Sequence, residues 1–227
     1  MKPQKLRTFL VKELNISNKK VFGLFSDKRI LLNSKYPDPA VVVRKTDEVI
    51  VDKKIIQKGK KLLYIKFNKP RGIESTMNKK IPKNLTTIFD PPEKLFPVGR
   101  LDKDSEGLMI FTNDGDYYKR IINKNNNVEK EYRVIVDKTV TQEFLNQMSS
   151  GVRILSRITK PAKAFFQEAA DYHERAGFNI VLTEGMNRQI RRMCMSLGYD
   201  VLNLKRIRIE NVELGKLKVG GHEEIKE

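Results

Sequence analysis

Gly99-Arg100-Leu101-Asp102-Lys103-Asp104-Ser105-Glu106-Gly107-Leu108-Met109-Ile110-Phe111-Thr112-Asn113-Asp114-Gly115 sets an acidic, glycine-bounded loop directly against a strongly apolar strand. Glycine tolerates backbone angles closed to residues that carry a Cβ, so Gly99 and Gly107 predict sharp turns at the two ends of the loop. Leu108 to Phe111 anchor the loop in a core, and Asn113-Asp114-Gly115 ends the strand in a turn. Asp102 is thereby expected on a rigid support, where functional loops are usually mounted.

The spacing Asp102-x-Asp104-x-Glu106-Gly107 also imitates the opening of an EF-hand calcium loop. Such a loop needs a bidentate Glu at its twelfth position, where this chain has Asn113, and polar ligands where it has Leu108 to Phe111. Calcium is set aside on that mismatch, and no metal site is expected.

At 227 residues the chain is long enough to bury a core and to form one domain or two, and two are expected. A formal charge of +17 and 45 Lys and Arg against 28 Asp and Glu point to a polyanionic partner, because basic side chains gain affinity by displacing counterions from phosphates. Residues 1–59 carry 14 Lys and Arg against 6 Asp and Glu, and are more densely basic than the rest of the chain. A single cysteine, Cys194, excludes an intrachain disulfide and a multi-cysteine zinc site and fits a reducing, cytoplasmic setting. No apolar run approaches the roughly 18 residues of a membrane span, and no secretory leader is expected. There is no Walker loop and no Gly-x-Gly-x-x-Gly. With only His173 and His222, both expected at the surface, a histidine triad or metal cluster is not expected.

Residues 5–14 and 18–28 read as two short helices, with Leu6, Phe9, Leu10 and Leu14 on one apolar face and Val21, Leu24 and Phe25 on the next; Ser17 or Asn18 caps the second. Ile30 to Asn33 and Val49 to Val51 read as strands. Gln57-Lys58-Gly59-Lys60-Lys61 reads as a linker, dividing the chain into domains 1–59 and 60–227. Asn68-Lys69-Pro70-Arg71-Gly72 reads as a proline-fixed turn beside two cations. Beyond the loop, Asp116 to Asn123 reads as a helix and Glu129 to Val136 as a strand with Tyr132, Val134 and Val136 on one face. A further helix, capped by Thr139 or Thr141, runs to Gly151, and Gly177 to Thr183 reads as a strand. In Asn187-Arg188-Gln189-Ile190-Arg191-Arg192-Met193-Cys194-Met195-Ser196-Leu197-Gly198, Asn187 is the expected cap and Gly198 the stop. Ile190, Met193, Cys194 and Leu197 form the buried stripe, while Arg188, Arg191 and Arg192 share another face. Five of the fifteen arginines lie between 188 and 208.

Three of these segments resemble motifs of the pseudouridine synthases that modify ribosomal RNA: Gly-Arg-Leu-Asp at 99–102, Asn-Lys-Pro-x-Gly at 68–72 and Asn-Arg-Gln-Ile-Arg-Arg at 187–192. The N-terminal order of elements, with Ser17-Asn18-Lys19-Lys20 and Lys28-Arg29-Ile30, resembles the small S4 RNA-binding module. Met186 departs from the Arg or Lys frequent before the Asn, and Lys stands for Arg at the S4 helix start.

The resemblance implies an α+β fold, a small S4-like domain followed by a catalytic domain built on a mixed, largely antiparallel sheet. It implies isomerisation of uridine to pseudouridine, without cofactor. Asp102 is then the catalytic carboxylate, as nucleophile or as base, with Tyr132 against the uracil and Arg191 in a salt bridge to Asp102. Lys19, Lys20, Lys28, Arg29, Arg100, Arg188, Arg192, Arg206 and Arg208 are the expected RNA contacts. The runs at 148–155 and 192–194 look most like the enzymes of the large subunit. A small-subunit or tRNA enzyme, and a non-catalytic S4-type RNA-binding protein, are the alternatives. RNA is the expected partner, with no membrane association, for a monomeric protein.

Overall fold

The computed structural model describes residues 3–91, 94–167 and 176–225. His173 lies outside the described residues. The chain divides into two compact units, one ending at Leu62 and the other beginning at Leu63.

In the first unit, β1 (Gln4–Lys5) runs into α1 (Leu6–Leu14), and α2 (Asn18–Ser26) starts at Ser17, whose hydroxyl accepts the Lys20 amide at 3.4 Å. Strands β2 (Ile30–Leu32), β4 (Val49–Val51) and β5 (Lys54–Gln57) form an antiparallel sheet in that order, and β3 (Val42–Val43) pairs with β1. Leu6, Phe9, Leu10 and Val21 from the helices meet Ile30, Val43, Val49 and Val51 in one core. Gln57, read from sequence as the start of a linker, instead ends β5. Its amide donates to the carbonyls of Arg44 and Asp47, both at 2.7 Å, satisfying a loop that has no strand partner of its own.

The second unit contains, in chain order, β6 (Tyr64–Lys69), β7 (Phe96–Pro97), β8 (Glu106–Thr112), α3 (Gly115–Ile122), β9 (Lys130–Val136), α4 (Gln142–Ser150), β10 (Arg153–Ile154), β11 (Arg157–Ile158), β12 (Lys163–Phe166), β13 (Gly177–Leu182), α5 (Gln189–Ser196), β14 (Val201–Ile209), β15 (Val212–Glu213) and β16 (His222–Glu224). The main sheet has the order β12-β13-β9-β14-β8-β6-β16, with β15 on β14 and β7 on β8. It is mixed and largely antiparallel: β14 and β8 run parallel, and the other pairs are antiparallel.

Strand β8 explains why its sequence is an unbroken apolar run. Met109 and Phe111 enter one core with Phe67 and Phe89, while Leu108 and Ile110 enter another with Ile121 and Ile209, so both faces are covered. On β9 the alternation holds, and Val134 and Val136 are buried in a third core with Phe144, Met148, Phe178 and Met193. Asp114 caps α3 through the Asp116 amide, and Thr141, not Thr139, caps α4 through that of Phe144.

The start of α5 departs from the sequence reading. Arg188 occupies the cap position in a left-handed conformation at φ 52°, and Asn187 is one residue too early to cap. The Asn187 side chain accepts from Arg192 at 2.9 Å, while the Gln189 side chain accepts the Met186 amide at 3.0 Å. Ile190, Met193 and Cys194 are buried as the stripe requires, and Gly198, at φ +81°, follows the helix end.

Gly107 sits where β8 meets β14. Its φ is +105°, and a Cβ there would lie 2.3 Å from the Arg206 carbonyl oxygen. Gly107→Ala should therefore combine backbone strain with overpacking and destabilise the unit by about 2–6 kcal/mol. Cys194 offers the readout, since burial pushes its thiol up to about 12 and keeps it unreactive in the native state. Thiol labelling across a urea titration should begin at a clearly lower urea concentration in the variant. An unchanged midpoint would show that the strands separate at no cost.

Candidate active site

The loop from Gly99 to Gly107 is held by its backbone carbonyls. Arg206 donates from Nε to the Leu108 carbonyl at 2.7 Å and from Nη1 to that of Arg100 at 3.4 Å, so one guanidinium ties both ends of the loop together. Ser75 Oγ donates to the Leu101 carbonyl at 2.6 Å and accepts the Leu101 amide at 3.0 Å. The Lys103 carbonyl accepts the Gly72 amide at 2.8 Å and lies 3.5 Å from Lys69 Nζ. Arg191 Nη2 donates to the Asp104 carbonyl at 3.0 Å, and its Nη1 to that of Val201 at 3.0 Å. Within the loop, the Ser105 amide closes on the Asp102 carbonyl at 3.0 Å.

Lys69 is fully buried, and its ammonium also donates to the carbonyls of Pro70 and Ile73, each at 2.8 Å. Desolvation pulls its pKa down to about 8, against the opposing pull of Glu74, Asp102, Asp104 and Glu106. Burial also lowers the pKa of Arg191, aided by the charge of Arg188 and opposed by Asp104 and Asp102.

Asp102 itself is half-buried and, among the described residues, forms no ion pair. The expected Arg191–Asp102 salt bridge is thus absent. Arg191 is turned to the Asp104 and Val201 carbonyls, and the Asp104 carboxylate pairs with Arg188 at 3.4 Å. Asp102 opens onto a cavity of about 710 Å³ that also meets Arg100, Tyr132, Asn187, Arg188 and Arg206. Tyr132 is half-buried between two cores, and β9 sets it opposite Arg206 on β14.

The structure separates the expected RNA contacts. Lys19, Lys20, Lys28, Arg100 and Arg188 are exposed, and Arg192 is half-buried. Arg206 is not available to a phosphate, because it is buried and two of its nitrogens serve the loop. Arg208 is committed to Glu131 at 2.9 Å and Glu129 at 3.2 Å, and Arg29 to Asp52 through two bonds of 2.6 and 2.7 Å. Each of these arginines has an acidic or carbonyl partner far away in sequence, which spacing alone does not reveal.

Ser75 carried no sequence signal. Lys69 did: the period-two alternation puts it on the face of Ile65 and Phe67, the buried face of β6. Among the described residues, five buried side-chain polar atoms lack a partner, and three of them, Ser105 Oγ, Arg191 Nε and Arg206 Nη2, surround this loop. Buried donors without a partner are costly to a fold. No group of three His, Cys, Asp or Glu among the described residues is gathered closely enough to hold a metal ion.

Comparison with known proteins bears on the same segments. The family model described as RNA pseudouridylate synthase matches residues 63–196. The dual-specificity RNA pseudouridine synthase RluF of Escherichia coli (strain K12) is 41% identical over 84% of this chain, which spans 64% of that relative's length. An uncharacterized RNA pseudouridine synthase of Aquifex aeolicus is 33% identical, covering 98% of this chain and 95% of its own. The ribosomal large subunit pseudouridine synthase B of Bacillus subtilis is 27% identical over 92% of this chain and 86% of its own. A crystal structure of a pseudouridylate synthase matches with a TM-score of 0.66 at 25% identity, covering 98% of this chain and 96% of that one. The loop of Asp102, the strand of Tyr132 and helix α5 all fall inside the matched span, and the chain belongs to the RNA pseudouridylate synthase family.

Proposed function

We propose that this chain isomerises a uridine of ribosomal RNA to pseudouridine, with Asp102 as the catalytic carboxylate. The observation that carries the reading is Asp102 itself: a half-buried carboxylate without an ion-pair partner among the described residues, on the wall of a cavity shared with Tyr132, carried by a loop that is fixed at six carbonyls.

The reaction breaks the bond from ribose C1′ to N1 of the base and joins C1′ to C5 after the base rotates. A proton leaves C5 and N1 gains one, so composition is unchanged and no oxidant or reductant enters. Asp102 serves as nucleophile or as base on the ribose, and either role needs the carboxylate rather than the acid. Lys69 and Arg191 supply positive potential without quenching it, because their hydrogen bonds go to carbonyl groups. Tyr132 offers a ring for the flipped base, whose extraction costs a few kcal/mol from a paired stem.

The name of the relative from Bacillus subtilis favours ribosomal RNA of the large subunit. We assign RNA binding to the first unit as an S4-like module, supported by its helical hairpin and by the exposed Lys19 and Lys20 in the first turn of α2. The chain is expected to act as a monomer. Mapping pseudouridine in ribosomal RNA from cells with and without the gene tests reaction and target together.

Asp102→Asn keeps shape and polarity but removes the charge. Tritium release from labelled RNA should fall on the order of a thousandfold or more, about 4 kcal/mol, with RNA binding retained. A near wild-type rate would remove Asp102 from the mechanism. Lys19→Glu together with Lys20→Glu in the full chain should weaken RNA binding and reduce the salt slope by roughly two, leaving the rate at saturating enzyme unchanged. An unaltered slope would take RNA binding away from this hairpin.

The pH dependence follows from Lys69. Its native pKa, about 8, lies below the value of about 10.4 in an unfolded chain, so the native state loses this proton first. Between those limits the unfolded chain binds more protons, and this group's contribution to stability rises with pH. The neutral amine, however, has too few N–H groups for three carbonyls, so the single-turnover rate should decline through about pH 8. A flat profile to pH 9.5 would show that the loop does not depend on the ammonium.

A further inference from the structure

A second groove lies beside the catalytic cavity, on the Arg100 side of the loop. It encloses about 680 Å³, and the two share Ser75, Thr76, Gly99, Arg100 and Ile122 as common walls. Its other lining is apolar and aromatic: Met77, Phe96, Pro97 and Tyr118. Phe96 is placed by the pairing of β7 on β8, and Tyr118 by α3, so both rings stand on elements anchored to the sheet. They meet edge to face, with centroids 5.4 Å apart and planes at 85°. In such a pair the ring that contributes its edge keeps both of its faces free of the other ring. Ile122 is exposed although it lies on the last turn of α3, and Arg100 is exposed at the rim.

Apolar walls, an aromatic pair and a rim guanidinium, with no acidic residue among the described residues of the lining, suit a flat π-system attached to a phosphate. The groove adjoins the cavity that holds Asp102 across the shared wall of Ser75, Thr76, Gly99, Arg100 and Ile122, so neighbouring nucleotides of one strand can reach both. Resting on the reading of the chain as a uridine-modifying enzyme, we propose that this groove takes one unpaired nucleobase of the same RNA, within two positions of the target uridine, and that Arg100 holds the intervening phosphate. The groove is thereby a specificity subsite. It selects targets in which a neighbouring base is free to leave its stack, and it offsets part of the cost of extracting the uridine.

The test is a coupling measurement with the full chain and RNA stem-loops carrying the uridine that the wild type modifies. Each stem-loop is made abasic at one neighbouring position. Wild type, Phe96→Ala and Tyr118→Leu are compared by single-turnover kinetics, which separate the half-saturating enzyme concentration from the saturating rate; having two variants keeps the test informative if one fails to fold by circular dichroism. At one position, removing the base should raise the half-saturating concentration about tenfold or more for the wild type, with the saturating rate within about twofold. The same removal should add nothing further in either variant, because the base and the rings report one contact. Losses that simply add at every position would overturn the subsite while product formation leaves the isomerase reading standing. A wild type that forms no pseudouridine in any RNA would overturn both.

Discussion

The second unit depends on one arrangement: cationic side chains gripping a loop by its carbonyl oxygens. Arg206 ties the carbonyls of Arg100 and Leu108, Lys69 approaches that of Lys103, and Arg191 takes that of Asp104. Side-chain ion pairs would consume the carboxylates of this acidic loop. Carbonyl dipoles solvate the cations instead and leave Asp102 unpaired. Rigidity and a free carboxylate thus come from the same hydrogen bonds.

The arrangement has an electrostatic cost that the sheet absorbs. Lys69 is fully buried without a salt bridge among the described residues, and its lowered pKa records the desolvation. Its position is tolerable because three carbonyls point at one ammonium, and because β6 is locked between β8 and β16. The parallel junction of β14 and β8 is the corresponding lock on the other side. It brings Arg206 against Gly107 so closely that only glycine fits. The strand order thereby delivers Arg206 to the loop.

The arginines near the C-terminus show how alike residues divide by partner. Arg208, two residues beyond Arg206, is taken by Glu131 and Glu129 on the neighbouring strand. Arg188 reaches Asp104, and Arg192 reaches Asn187. A register shift between Arg206 and Arg208 breaks the alternation of β14, so Arg206 stands opposite Tyr132 and Arg208 opposite Glu131, adjacent residues of β9 that point to opposite faces. One side chain reaches the loop and the other the glutamates.

Much was legible along the chain itself. The apolar run at 108–111, the glycines at 99 and 107, the capping residues Ser17 and Thr141, and the stripe of Ile190, Met193 and Cys194 report local constraints, because backbone angles, caps and periodicity act over a few residues. Those signals located the loop of Asp102, the strand of Tyr132 and helix α5. What tertiary structure alone decided is which charges meet. The turning of Arg191 to carbonyls, the burial of Arg206 and the capture of Arg29 by Asp52 and of Arg208 by Glu131 join residues 23 to 106 positions apart or depend on a left-handed residue at 188. A long side chain takes its partner from whatever the fold brings within about 3 Å, and that proximity is a property of strand order and register, not of spacing along the sequence.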